Sequence, residues 1–208
     1  MIFSSLIFSQ VFAQQVAVSA DKNNVFYLGL DNPITVTVEN CSCNDLVVKT
    51  DNGEVTGKGC QLIFRGKEYG RAAIMVYKKA GNKLKEIGSN AFRVKKIPPP
   101  VFRIGPYGHS YDRKARSVVM ANQQYVRAEL DGFDFDARFA IDSFWVKIFY
   151  NDSCKTKSFF NTTGKISQAV LDAFSVLKEE DVVIFHKIYA KGPDGLQWQL
   201  DPLILTIE

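Results

Sequence analysis

"FRVKKIPPPVFRIG", residues Phe92 to Gly105, sets three prolines between two short runs of mixed apolar and basic residues. Proline has no amide hydrogen and a fixed φ, so Pro98, Pro99 and Pro100 cannot join a sheet ladder. Three in a row favour a stiff, extended polyproline segment that rises roughly 3.1 Å per residue. The block is expected to end one β domain and to begin another, which makes Pro98, Pro99 and Pro100 the interdomain linker. The competing reading is an edge-strand terminator inside a single domain.

Upstream of the prolines, the chain alternates at period two. Ile34-Thr35-Val36-Thr37-Val38, Leu46-Val47-Val48 and Ala72 to Tyr77 read as strands with one face inward, and Ala91 to Lys95 is the last of them. Turn signals separate them: Asp31-Asn32-Pro33, Asp51-Asn52-Gly53, Gly57-Lys58-Gly59, Gly66 and Ala80-Gly81-Asn82. Downstream, Val101 to Ile104, Tyr125 to Leu130, Ser143 to Tyr150, Asp181 to Ala190 and Leu203 to Ile207 restart the pattern. One segment, Ile166 to Lys178, breaks it. There Ala169, Val170, Ala173, Phe174 and Leu177 share a face at helical spacing, with Ser167 as the N-cap. Short strands divided by frequent turns imply a mainly β protein: two Ig-like β-sandwich domains in tandem, the second carrying one short helix.

The chain of 208 residues is 46% hydrophobic and 12% aromatic, enough for packed cores. Its net charge of +4 is mild and unevenly spread, +5 over residues 16–97 and −1 over residues 98–208. No stripe of arginines interleaved with aromatics suggests nucleic-acid binding. The opening "MIFSSLIFSQVFAQ" resembles an export signal cut after Ala13 or Gln14, although it lacks a basic start. It is too short to span a bilayer. The expected division is a signal over residues 1–14, a first domain over 15–97 and a second over 98–208. Export would permit disulfides. Of Cys41, Cys43, Cys60 and Cys154, either member of the Cys41-Ser42-Cys43 pair can reach Cys60. Cys43–Cys60 is the favoured bridge. Three cysteines with distant histidines make a poor metal set.

Reacting groups are sparse. There is no H-E-x-x-H, no G-x-S-x-G and no phosphate loop, so neither an enzyme nor a bound cofactor is expected. His109 lies in a Gly-rich loop. His186 has the parity of Ile184 and Ile188 and reads as a strand histidine. "LDGFDFDARF" is the most pointed cluster. On a strand, Asp134 and Asp136 would share one face and Phe133 and Phe135 the other. With Asp131 and Asp142 they would form a calcium- or carbohydrate-binding surface; otherwise they form a solvated row partly neutralised by Arg138. The aromatics of residues 133–160 belong either to a core or to a binding face.

Five stretches taken in order resemble one family: "VSADKNNVFYLGLDNPITVTV", "VKTDNGEVTGKGC", "FRVKKIPPPVFRIG", "ELDGFDFDARFAIDSFWVKI" and "IYAKGPDGLQWQLDPLILTI". They are similar to the two C-terminal periplasmic domains of GldM-type gliding-motility and type IX secretion proteins, from about Val16 to the end. The resemblance implies β-sandwich shaft domains in the periplasm, a homodimer, and protein partners in the cell envelope, including outer-membrane ring components. The family's membrane helix, helical bundle and energy-coupling role are not carried over, because the matching motifs start after the export-type segment. The cysteines depart from the family pattern and suggest a staple.

Overall fold

A computed structural model describes residues 16–20, 25–108, 113–153 and 155–208. The chain separates into two compact units, one ending at Lys96 and the other beginning at Ile97. The proposed export signal, His109 and Cys154 lie outside the described residues.

The first unit is a β-sandwich. Its strands are β1 (Val16–Ala20), β2 (Val25–Tyr27), β3 (Asn32–Val38), β4 (Leu46–Thr50), β5 (Glu54–Lys58), β6 (Gln61–Arg65), β7 (Gly70–Ala80) and β8 (Lys83–Lys95). One four-stranded sheet runs β1-β3-β6-β5 and the other β2-β8-β7-β4, with β2 parallel to β8. Alternation decides what lies inside. Ile34, Val36 and Val38 of β3 and Ala72, Ile74 and Val76 of β7 are buried, while Thr35 and Thr37 face outward. Phe26 joins the two layers, its ring 4.3 Å from Phe64 and 4.7 Å from Phe92. Full burial of each such side chain contributes about 1.5–3 kcal/mol.

Three local devices hold this sandwich in register. Asn32 is fully buried; its side chain accepts the Tyr27 amide at 2.7 Å and donates to the carbonyls of Tyr27, Leu30 and Phe64. The Asp31-Asn32-Pro33 signal thus marks a turn that the asparagine side chain closes. Asn52 brackets its own bend in the same way, accepting from Lys67 and Glu68 and donating to the carbonyls of Glu68 and Arg71. The adjoining Gly53 has φ +91, and a Cβ there would lie 2.0 Å from the Arg65 carbonyl oxygen. Glycine is the residue that fits. The turn expected at Gly57-Lys58-Gly59 sits one step later, because Gly57 and Lys58 still pair with β6 and the chain reverses at Gly59 and Cys60.

A covalent link joins the two layers. Cys43 opens a 3₁₀ turn (Cys43–Asp45) just before β4, and Cys60 lies between β5 and β6. A disulfide joins them, with Cα atoms 5.1 Å apart. Cys41 is half-buried and reduced.

The second unit contains β9 (Val101–Ile104), β10 (Lys114–Ala115), α1 (Ser117–Ala121), β11 (Val126–Glu129), β12 (Ala140–Tyr150), β13 (Lys155–Asn161), α2 (Gln168–Ser175), β14 (Val182–Lys191), β15 (Gln197–Leu200) and β16 (Leu203–Ile207). A six-stranded sheet runs β10-β16-β14-β12-β13, with β15 also on β14, and β9 pairs β11 separately. Phe144, Val146 and Ile148 of β12 and Val183 and Phe185 of β14 face a single core. The β9–β11 pair and both helices close it: Phe102 packs 5.2 Å from Phe185, and Phe174 packs 6.2 Å from the same ring.

Four sequence expectations change here. The helix is there, but a second one, α1, accompanies it; five residues are too few to show a period. On α2, Ala169 is exposed, and the buried face is Val170, Ala173, Phe174 and Leu177. Ser167 holds the N-cap position, yet its hydroxyl makes no capping bond. Phe133 to Asp136 form no strand. β11 stops at Glu129, which pairs Val101, so the next position would face Pro100, a residue with no amide to donate. The chain turns away at Asp131-Gly132 instead.

The sandwich depends on its staple and on Asn32. A loop of 17 residues closed by Cys43–Cys60 is worth about 3 kcal/mol in the chain-entropy model. Reduction, or the double change Cys43→Ala and Cys60→Ala, is expected to lower the stability of the first unit by that amount in urea unfolding. Asn32→Ala removes four side-chain hydrogen bonds to the backbone of Tyr27, Leu30 and Phe64, at an expected cost of about 3 kcal/mol by the same measurement.

Candidate functional site

The potential reacting groups stand apart. His186 is on the outer face of the six-stranded sheet, its ring stacked 6.5 Å from Trp145. It does not share the side of Ile188. The β12–β14 register slips between Ser143 and Trp145, and Lys187 takes φ +47 as the extra residue on β14. This bulge turns Ile188 inward while Ile184 and His186 stay on the outer, half-buried side. Burial, then Lys187 and Lys147, pushes the imidazole below its ordinary value. Among the described residues, no three His, Cys, Asp or Glu side chains gather where they could hold a metal ion.

The aspartates disperse as well. Asp131 accepts from Arg103 at 2.5 Å, and the mostly buried Arg103 also lies 3.5 Å from Glu129. Asp136 pairs Arg138 at 3.2 Å, as the solvated-row reading anticipated. Asp142 accepts from Gln197 at 3.3 Å, and Asp134 is exposed on the loop. Phe135 is buried beside Phe133, their rings 5.5 Å apart, so the loop keeps an inside and an outside without a ladder.

The proline block stays out of every strand between β8 and β9, with Pro98 and Pro99 exposed and Pro100 buried. All its peptide bonds are trans.

The aromatics divide between core and surface. Phe144 is in the core, but Phe160, Trp145 and His186 form a row across the outer face of β13, β12 and β14. Trp145 and Phe160 lie 5.1 Å apart, and Phe160 is 51% exposed. Two adjacent aromatics on one strand must point to opposite faces, so Phe159-Phe160 already placed one ring outside. Phe159 packs against the core.

Among the described residues, β13 pairs only with β12 and is an edge of the sheet. Its last residue, Asn161, is 4% exposed. The Oδ1 atom accepts the Ser167 amide at 2.9 Å, which fixes the side chain, and among the described residues Nδ2 has no partner. A buried unmatched donor costs about 1–3 kcal/mol. Asn161 lines a cavity of about 460 Å³ together with Gln124, Phe160, Thr163, Lys165 and Gln168. Sequence reasoning missed this arrangement, which needs β13 and the start of α2 to meet.

Family comparison then divides the chain as its contacts do. The model for the GldM third domain matches residues 15–95 and that for the GldM C-terminal domain matches residues 98–208. The chain matches no curated protein.

His186 gives a pH test. Its folded value lies below its unfolded value of 6.5, so unfolding takes up a proton and acid favours the unfolded state. The contribution is fully present above pH 6.5 and is lost as pH falls. Urea unfolding of the second unit is expected to weaken from pH 7.5 to pH 5, and His186→Gln is expected to flatten that dependence.

Proposed function

The chain belongs to the GldM family, spanning its third and C-terminal domains, and from that membership we propose that it is a non-enzymatic adaptor of the gliding or type IX secretion machinery. It works in the periplasm or at the outer membrane and holds protein partners there, outer-membrane ring components among them. A homodimer follows by the same analogy.

The observation that carries this reading is the pair of family matches, in order and almost without a gap, over residues 15–208. The Cys43–Cys60 bond suits an oxidising compartment. No helix among the described residues is long and apolar enough to cross a membrane. Sheet edges and exposed loops are the surfaces that such a module offers, because unpaired backbone groups and half-buried rings are what another chain can cover.

The test is affinity capture of the oxidised chain from envelope extract of its own cells, with crosslinking and identification of every captured protein. Secretion or gliding components are expected as enriched partners. A capture that holds none of them, on a chain whose disulfide is intact, overturns the proposal.

A further inference from the structure

We propose that the free edge of β13 and the cavity at its end receive an extended, acidic segment of a partner protein, which adds as a strand and places one carboxylate side chain in the cavity. This rests on the adaptor reading in one respect, that the ligand is a protein.

A backbone ladder selects the ligand class. β13 is seven residues long and, among the described residues, bonds to β12 on one side only, so the opposite row of amides and carbonyls faces outward. Such a row is matched by another peptide backbone.

Charge selects the composition. Lys155 and Lys157 are exposed on β13, and Lys165 lies just beyond it. Neither β13 nor the lining of the cavity contains an acid. The nearby carboxylate of Asp172 accepts from Gln168 Nε2 at 2.8 Å. A second copy of β13 laid antiparallel on this edge would set Lys157 opposite Phe159 and Lys155 opposite Asn161, and would bring no carboxylate to either lysine.

The cavity selects the anchoring group. Asn161 forms part of its wall: Oδ1 is committed to the Ser167 amide, and Nδ2, without a partner among the described residues, is sealed from solvent. α2 begins at the same wall, and Ser167 leaves its first turn without a side-chain cap. Lys165 adds a cation, and Thr162 and Thr163 add hydroxyls. A helix start and a cation beside one space match a carboxylate. Phe160, half exposed beside Trp145, and Leu171 supply an apolar rim for the residue next to it.

The experiment is fluorescence anisotropy on the full chain with a labelled ten-residue peptide alternating glutamate and valine. The glutamine version of the peptide is expected to bind roughly tenfold more weakly, as is a version N-methylated along one edge. Asn161→Asp keeps an acceptor for the Ser167 amide, so the local fold is retained, but it puts a negative charge in the wall of the cavity. Asn161→Asp and Lys165→Glu are each expected to abolish binding, while Lys83→Glu, in the other unit, leaves it unchanged. Equal affinity for the glutamate and glutamine peptides overturns the acidic preference. Binding unaffected by Asn161→Asp and Lys165→Glu overturns the site. Chain-to-chain crosslinks through cysteines placed on β13, or glycan binding that the peptide displaces, overturn the occupant. Capture of secretion components that survives both variants removes this site and leaves the adaptor role standing. Intact peptide binding with no such capture does the reverse.

Discussion

A β ladder needs a donor at every second position along each edge, and Pro98, Pro99 and Pro100 supply none. β8 ends at Lys95 and β9 begins at Val101, with the prolines between them in no strand. The same missing amide acts at a distance in sequence. β11 runs opposite β9 and stops at Glu129, where its partner is Val101 and the next would be Pro100. The chain therefore leaves the sheet at Asp131, and the acidic, aromatic segment there becomes a loop in which Asp131 and Asp136 pair with different arginines. One chemical defect in the backbone thus divides the units and keeps the most acidic stretch from forming a single-faced row.

Within each unit a different force takes over. In the first, two four-stranded sheets close over phenylalanines, and what apolar burial leaves undone is completed by Asn32 and by the Cys43–Cys60 bond. Small sandwiches bury a modest share of their surface, so a staple between layers has a large relative effect. In the second unit, one face of a six-stranded sheet is covered by a strand pair and two helices, and the other carries Trp145, Phe160, His186 and Ile204 outward. The covered face is packed by Phe102, Phe144, Phe174 and Phe185. The outer face and the β13 edge beside it are among the parts of this unit with surface left to offer.

Much of this was legible in residue order. Alternation in Ile34 to Val38 and in Ser143 to Tyr150 marked strands that are present with the expected parity. Helical spacing marked α2, because Val170, Ala173, Phe174 and Leu177 must all reach one core. The spacing of Cys43 and Cys60 suited a bridge within a short loop. Where reading failed, a single residue had changed the count. Lys187, inserted as a bulge, put Ile188 on the opposite face from His186. Ala169 fell on the wet side of α2 because the helix packs by a narrower stripe than its composition suggests.

Residue order by itself determined the local facts: where strands run, where the ladder must stop, and which turns need asparagine or glycine. These follow from φ preferences, from the two-residue side-chain period and from a missing proton, none of which requires knowing a distant neighbour. Only the tertiary structure decided that β13 is left as an edge, that Trp145 stands between Phe160 and His186, and that Asn161 meets the amide of Ser167 while its own amide stays unmatched. Those depend on which strand pairs with which, and in what register. Pairing is a non-local choice made by the whole buried surface at once.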